Sequence, residues 1–230
     1  MNKKTFRLAF RASLPVMAGY LVLGLGFGVL LQNQGYSFLW AFLMSLTIYA
    51  GSMQYAALDL ISGGAGLITT ALMTLMINAR HFFYGLSMLD KYQNTGKARP
   101  YLIFSLTDET YSLVCTPAPA EVDEKGYYLL VSLFDQIYWV LGSTLGGLLG
   151  PILPFDSTGM DFAMTALFVV IFVEQWLSAK NHTPAILGVF ISVVFLVLLG
   201  PTRFVIPAMI GITLSLALLR GRLEVQPDER

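Results

Sequence analysis

The sequence predicts an all-α fold, a polytopic bundle of membrane helices that forms one domain over residues 1–230. Hydrophobic residues make up 56% of the chain and charged residues 12%, whereas a soluble domain carries about a quarter charged residues. The mean hydropathy is +0.67. The polar side chains available could not cover so much apolar surface in water, so lipid has to be the main solvent.

Seven or eight apolar stretches approach the length of about 20 residues that a helix needs to cross the hydrocarbon core. They are bounded by charges or by Gly and Pro, and they run over residues 13–31, 37–62, 66–89, 100–117, 127–149, 160–178, 183–199 and 203–220. The stretch at 100–117 is the weakest because Asp108 and Glu109 interrupt it. Their recurrence predicts a multi-pass protein.

The basic residues predict how these stretches are oriented. The first stretch follows Lys3, Lys4, Arg7 and Arg11, a pattern typical of a signal peptide or of a first membrane anchor. We favour the anchor because no clear small-x-small cleavage site follows and further spans come at once. Cytoplasmic loops carry an excess of Lys and Arg, so we expect both termini and the connection at 91–99 to be cytoplasmic.

If every stretch from 13 to 89 crossed once, the basic connection at 91–99 would lie outside the cytoplasm. We therefore expect one stretch, 37–62, not to cross, because Ala50, Gly51 and Ser52 could break its helix and let the chain return. Non-helical backbone at membrane depth is tolerated only where protein or a water-filled cavity surrounds it, so such a break suits a substrate site. A tilted, kinked span is the alternative.

A weak internal repeat relates residues 1–117 to residues 118–230. In each half a Gly-x-x-x-Gly motif precedes a glutamine, namely Gly24, Gly28 and Gln54, then Gly142, Gly146 and Gln175. If 160–178 is also re-entrant, six spans remain, and the halves form an inverted repeat with broken or re-entrant helices. Chance similarity is the alternative. We expect the glycine pairs themselves to let helices pack closely.

The strongest local feature for chemistry lies at 78–85. On a helix, Asn78 and His81 share one face, and Arg80 and Tyr84 share the adjacent one. Arg80 could bind a substrate carboxylate through two hydrogen bonds, and His81 could titrate near neutral pH, as proton coupling needs. The alternative is that Arg80 and His81 extend to lipid phosphates at the membrane surface.

Adjacent carboxylates interrupt the stretch at 100–117. Asp108 and Glu109 could pair with Arg80 or bind a substrate ammonium. Alternatively, Thr107 or Asp108 caps a helix at the membrane surface.

Amides in apolar stretches complete the candidate site. Gln54 and Gln175 can offer both donors and acceptors to the zwitterionic head of an amino acid, although hydrogen bonding between helices explains them equally well. Asp135, Gln136 and Trp139 could line the same cavity, but their spacing alone does not decide it.

Other classes of function find less support. Lys plus Arg and Asp plus Glu both number 14, and no basic patch with interleaved aromatic residues points to nucleic acid. The single cysteine, Cys115, has no partners at metal-ligand spacing, so we expect no metal site and no cofactor. The chain also lacks HExxH and a Ser with a convincing His partner, which disfavours an intramembrane enzyme.

Several of these motifs together resemble the AzlC family of branched-chain amino acid transport proteins, and the resemblance covers most of the chain. The matching residues are Pro15-Val16, Gly19-Tyr20, Gly24, Phe27-Gly28, Ala50-Gly51-Ser52-x-Gln54, Asn78-Ala79-Arg80-His81, Tyr84-Gly85, Thr107-Asp108-Glu109 and Asp161-Phe162-Ala163. Each motif is weak alone, but the set is specific.

The resemblance implies a bacterial inner-membrane exporter of valine, leucine, isoleucine and sometimes methionine, with a separately encoded small AzlD-type subunit needed for activity. Because the chain has no GxxxxGK(S/T) phosphate loop, we expect the proton or the membrane potential to drive export. Proton coupling would then involve His81, Asp108 or Glu109.

In such an exporter, polar side chains would bind the substrate backbone groups, and Phe82 and Met88 could hold its apolar side chain. The polar set is Gln54, Asn78, Arg80, His81, Tyr84 and Gln175. A passive channel, or a transporter for another solute, would use the same fold and the same polar residues.

Overall fold

The computed structural model of the chain describes residues 2–120, 122–152, 169, 172–173, 176–177, 179, 181–201 and 204–223. These residues form helices and their connections, with no β-strand among them, so the all-α prediction is confirmed. Gln175 and residues 161–163 lie outside the described residues.

The helices differ widely in length. In chain order they are α1 (Lys3–Asn33), α2 (Phe38–Thr47), α3 (Gly51–Ser62), α4 (Leu67–Ser87), α5 (Leu89–Tyr92), a 3₁₀ helix (Gln93–Ala98), α6 (Arg99–Phe104), α7 (Asp108–Val114), α8 (Glu124–Leu149), α9 (Thr183–Leu199) and α10 (Val205–Leu223). Packing divides the chain into two compact units, Met1–Val169 and Val170–Arg230. The repeat halves 1–117 and 118–230 stay a prediction.

Within the first unit, α1 and α8 make the most extensive contact between helices. Their backbones touch at glycines: a Cβ on Gly28 would lie 2.1 Å from the Ser143 carbonyl oxygen, and one on Gly146 would lie 2.0 Å from a carbonyl oxygen of α1. Gly24 and Gly142 face the partner helix in the same way, with backbone atoms 2.9 Å from a Cβ position. These glycines therefore lie where the backbones of α1 and α8 come closest.

The middle of α8 turns polar residues into the protein and large aliphatic residues outward. Asp135 and Ser143 are 0% exposed. The outer face presents a stripe of large aliphatic side chains: Leu133, Ile137, Leu141, Leu145 and Leu148. A water-soluble helix shows the reverse pattern, whereas a helix in lipid turns its polar groups into the bundle. Among the described residues, α1 and α8 are the helices long and apolar enough to cross a membrane by length and composition.

The stretch at 37–62 is broken in its middle, as its small residues predicted. The helix α2 ends at Thr47 and α3 begins at Gly51, and between them Tyr49 adopts a φ of 46°. A non-glycine residue in this left-handed region is strained and persists only where its surroundings hold it. The break is confirmed, and return of the chain to the side it entered from stays a prediction.

The stretch at 100–117 is not a single helical span. It consists of α6 and α7, which have 6 and 7 residues, and at about 1.5 Å per residue neither could cross a hydrocarbon core about 30 Å thick. The helix is interrupted before Thr107, whose side chain accepts a hydrogen bond from the Thr110 amide and caps α7. Polar side chains that satisfy the backbone locally compete with a continuous helix. The capping alternative for Thr107 is confirmed.

The other end of α7 is held by Lys91. Its ammonium donates hydrogen bonds to the carbonyl oxygens of Val114 and Thr116, each at 3.1 Å, and to that of Cys115. A cation here matches the negative end of the helix dipole, although burial lowers the pKa of the ammonium. Because Lys91 follows α4 closely in the chain, this contact ties the end of α4 to α7.

In the second unit, α9 and α10 pack against each other. Gly211 on α10 makes room for α9, since a Cβ there would lie 3.0 Å from the ring of Phe195 and 3.3 Å from Ile191. Large apolar side chains such as Val197 and Leu218 are exposed on this pair, at 79% and 86%. Such surfaces suit apolar surroundings.

We expect Gly28→Ala to destabilise the protein by about 1–3 kcal/mol or more, because the added methyl group would overlap the backbone of α8 and force the helices apart. Gly85→Ala is the matched control, since a Cβ on this helical glycine meets no atom within 4 Å. Thermal unfolding of the purified proteins in detergent measures the difference. Equal melting temperatures for the two variants would contradict the importance of the α1–α8 contact.

Candidate functional site

A small cavity lies between the two helix breaks of the first unit. Its wall combines the break before α3, the start of α7, one face of α4 and side chains of α1 and α8: Tyr20, Leu23, Tyr49, Ala50, Gly51, Ser52, Arg80, His81, Thr107, Asp108, Glu109 and Trp139. Its volume of about 30 Å³ is room for a water molecule or two and less than an amino acid needs. In this structure the cavity is therefore too small to hold an amino acid.

An ion pair lies in the cavity wall. Nη1 of Arg80 is 2.6 Å from Oδ2 of Asp108, and Nη2 donates a hydrogen bond of 2.6 Å to Oγ of Ser52. The side chains of Arg80 and Asp108 are 22% and 10% exposed. One guanidinium thus ties α4 to the starts of both α3 and α7. Arg80 thus pairs with Asp108 in this structure and does not extend to the surface.

The start of α3 adds hydrogen-bond donors to the positive charge of Arg80. The first amide groups of a helix have no partner within it and carry the positive end of its dipole. Gly51 and Ser52 form the first turn of α3 and line the cavity together with Arg80. Asp108 supplies negative charge to the same wall, and Glu109 adds a second carboxyl group. The cavity therefore offers partners to both an anionic and a cationic group.

Trp139 forms part of the apolar wall. Its ring lies against Gly51, where a Cβ would come within 3.0 Å, and 5.3 Å from the ring of Tyr20, measured between centroids. Gln54 holds the indole: Nε1 of Trp139 donates to Oε1 of Gln54 at 2.9 Å, and Nε2 of Gln54 donates to Oγ of Ser45 at 3.0 Å. Gln54 lies outside the lining, so in this structure it acts on the site through Trp139.

The other predicted residues of α4 face different surroundings. His81 lines the cavity, and its Nδ1 lies 3.2 Å from the Asn78 carbonyl oxygen. The Asn78 side chain borders a separate, mostly apolar groove between α2, α3 and α4. Tyr84 stacks on Tyr111 with 4.6 Å between ring centroids. Neither Asn78 nor Tyr84 lines the cavity.

Phe82 and Met88, expected to hold an apolar substrate side chain, also lie outside the cavity lining. Phe82 is 71% exposed, and Met88 is buried in a hydrophobic cluster with α6 and α8 residues. Successive residues of a helix are about 100° apart, so Phe82, two positions after Arg80, lies on nearly the opposite face of α4. The apolar wall comes instead from Leu23 and Trp139.

Sequence reasoning missed Tyr20 and Tyr49 as members of the site. Oη of Tyr20 donates a hydrogen bond of 2.6 Å to Oε2 of Glu109, a residue 89 positions away. A signal did exist, because Glu109 in an apolar stretch needs a buried partner. Its spacing from Tyr20 does not reveal that partner. Tyr49 lines the cavity because it lies in the break between α2 and α3, where its backbone is in the left-handed region.

Fold and site together define a helical membrane protein whose broken helices and partly buried ion pair enclose a small cavity with both charges in its wall. In the part of the chain that the structure describes, no group of three or more His, Cys, Asp or Glu could hold a metal ion. The AzlC protein family matches residues 15–153, more than half of the chain. The chain therefore belongs to the AzlC family.

Individual relatives extend the match to nearly the whole chain. The chain is 44% identical over 230 residues to the branched-chain amino acid transport protein AzlC of Bacillus subtilis, covering 97% of this chain and 91% of the relative. An uncharacterized membrane protein of Haemophilus influenzae is 44% identical over 222 residues, 96% and 91% of the two chains. The inner membrane protein YgaZ of Escherichia coli is 26% identical over 239 residues, 98% and 94%. No solved structure matches the chain.

Neutralising one member of the ion pair should cost more stability than neutralising both. We expect Arg80→Gln and Asp108→Asn each to destabilise the protein by about 1–3 kcal/mol, because each leaves a partly buried charge without its partner. The double variant should recover much of that loss. Thermal unfolding of the parent, the single variants and the double variant measures the coupling energy. Additive losses would show that the two charges do not stabilise each other.

Proposed function

We propose that this chain is a transporter subunit rather than an enzyme, and that it exports L-valine, and also leucine, isoleucine and methionine, across the bacterial inner membrane. Membership of the AzlC family supports the proposal, because a relative with 44% identity is named a branched-chain amino acid transport protein. A more distant relative is named an inner membrane protein. The direction of transport follows the family resemblance of the motifs.

The Arg80–Asp108 pair is the observation that carries the proposal. A free amino acid is a zwitterion, with a carboxylate and an ammonium group on one carbon. When the cavity opens, the substrate carboxylate can replace Asp108 at Arg80, and the substrate ammonium can replace Arg80 at Asp108. Each buried charge then keeps a partner in the empty and in the loaded state, which avoids the cost of an uncompensated buried charge. A solute with a single charge would leave one member unpaired.

The apolar part of the wall suits a branched aliphatic side chain. Leu23 and Trp139 line the cavity beside the charged groups. Each buried CH₂ contributes about 0.8 kcal/mol, so an apolar wall separates valine, leucine and isoleucine only modestly. This supports a substrate class rather than a single amino acid.

The proposal includes a small AzlD-type membrane subunit as partner, a proton or membrane-potential drive and cytoplasmic termini. The glycine pairs that head the two halves meet in the same direction along both helices, Gly24 against Gly142 and Gly28 against Gly146. Equivalent helices of an inverted repeat run in opposite directions, so this parallel contact does not support the inverted repeat, which stays a prediction.

Efflux of labelled L-valine from cells that lack their own exporter tests the function. We expect efflux when the chain and an AzlD-type subunit are expressed together, and a rate about tenfold lower with Arg80→Lys, because an ammonium cannot replace the guanidinium fork that joins Ser52 and Asp108. Arg7→Lys, at an exposed position of α1, is the matched control. A correctly inserted complex without valine efflux would point to a different solute.

Exchange in proteoliposomes distinguishes a carrier from a channel. Only a carrier moves labelled valine faster when unlabelled valine is present on the opposite side of the membrane. We expect valinamide, which lacks the carboxylate, and isovalerate, which lacks the ammonium, to compete about 100-fold less well than L-leucine, since each leaves a buried charge unpaired. Inhibition by either analogue as strong as that by leucine would refute recognition by the ion pair.

A further inference from the structure

A continuous chain of hydrogen bonds runs from the cavity to a carboxyl group buried in α8. Oη of Tyr20 lies 2.6 Å from Oε2 of Glu109 and 2.7 Å from Oγ1 of Thr107. Oγ1 of Thr107 lies 3.1 Å from Oγ1 of Thr110, which lies 2.9 Å from Oδ2 of Asp135. The chain has a carboxyl group at each end and three hydroxyl groups between them, and no member is more than 8% exposed.

The number of protons in this chain is constrained. Its four contacts need four protons to be hydrogen bonds, and its three hydroxyl groups supply one proton each. The fourth proton has to be on a carboxyl group. If Glu109 carries it, every hydroxyl group donates towards Asp135, and if Asp135 carries it, every hydroxyl group donates towards Glu109. Two ionised carboxylates would leave one contact without a proton.

No cation is available to Asp135 among the titratable groups of the described chain that face it. These are Glu109 of α7, Tyr20 of α1, Tyr49 of the break before α3, Tyr101 of α6, and Tyr127 and Tyr138 of α8. The second oxygen of Asp135, Oδ1, is buried without a hydrogen bond. An ion buried without a counter-ion is costly, which favours a proton held between the two carboxyl groups.

Glu109 has different neighbours at its end of the chain. It lines the cavity, and Asp108, Arg80, Tyr20, Tyr49 and Tyr84 are the titratable groups that act on it. Arg80 is already paired with Asp108 at 2.6 Å. Glu109 is thus the end of the chain that a solute in the cavity can influence.

We propose that Glu109 and Asp135 share one proton through Tyr20, Thr107 and Thr110, and that this chain of groups is the segment of the coupling proton's path that links the cavity to α8. Transfer to Asp135 breaks the O–H bond of Glu109, moves each hydroxyl proton to the next oxygen and forms an O–H bond on Asp135, with no change in oxidation state. The ionised Glu109 then stands beside Asp108 and attracts a substrate ammonium. Proton position and substrate binding are linked in this way, and the coupling role rests on the proposed amino acid transport.

Thr110→Val tests the middle of the chain. Valine keeps the shape of threonine without its hydroxyl group, and Thr110 is fully buried outside the cavity lining. In proteoliposomes that contain the chain and an AzlD-type subunit, we expect valine efflux driven by a pH gradient to fall about 100-fold, while valine exchange, which needs no net proton release, changes by less than about twofold.

Thr144→Val is the matched control, because Thr144 lies on α8 and donates to the Val140 carbonyl oxygen of its own helix. It should retain both activities. Gradient-driven efflux that survives Thr110→Val would overturn the proposal. Equal loss of efflux and exchange would also overturn it, since Thr110 would then support the structure and not the proton. If the parent protein shows no valine exchange, the proposed transport function is refuted. The infrared measurement below then tests the shared proton by itself.

Infrared absorption of the purified protein near neutral pH tests the shared proton without any substrate, because a protonated carboxyl group absorbs where an ionised one does not. We expect this band in the parent and in Asp59→Asn, which removes an exposed carboxyl group. The band should be lost in the double variant Glu109→Gln with Asp135→Asn. A parent without the band, or a double variant that keeps it, would overturn the proposal.

Discussion

The close crossing of α1 and α8 is the contact on which the rest of the site depends. Because glycines let the two backbones touch, the residues one turn earlier on each helix, Tyr20 and Trp139, bring their rings together at 5.3 Å. Asp135 lies one turn before Trp139 on the same buried face. The helix separation therefore determines where the cavity wall stands and which groups of α7 can reach Tyr20 and Asp135.

The helix breaks and the buried charges stabilise each other. A break leaves backbone amides without helical partners, which apolar surroundings tolerate only next to protein or a polar cavity. Arg80 and Asp108 would each be costly alone, but Arg80 joins Asp108 at the start of α7 to Ser52 at the start of α3. The ion pair also connects α4 to both breaks, so one guanidinium holds α3, α4 and α7 together.

Some features of the site could be predicted because their causes are local. Ala50, Gly51 and Ser52 indicated the break that the structure shows between α2 and α3, and Thr107 was recognised as a possible helix cap. The prediction of one continuous span at 100–117 was wrong. Thr107 satisfies a backbone amide of α7 and interrupts the helix there, although the stretch is mostly apolar. Phe82 was misplaced in the wall because membership of α4 does not say which face is turned inward.

By itself, the sequence determined that the chain is helical, that lipid surrounds it and that helices pack closely at its glycines. It also determined that Asp108 and Glu109 need partners. Hydropathy, residue size and charge indicate these features because they act over a few positions. Only the tertiary structure decided which partner each group received. Tyr20 meets Glu109 across 89 positions of sequence, and Gln54 meets Trp139 across 85. Such pairs depend on how whole helices are placed, and no periodicity along the chain encodes that placement.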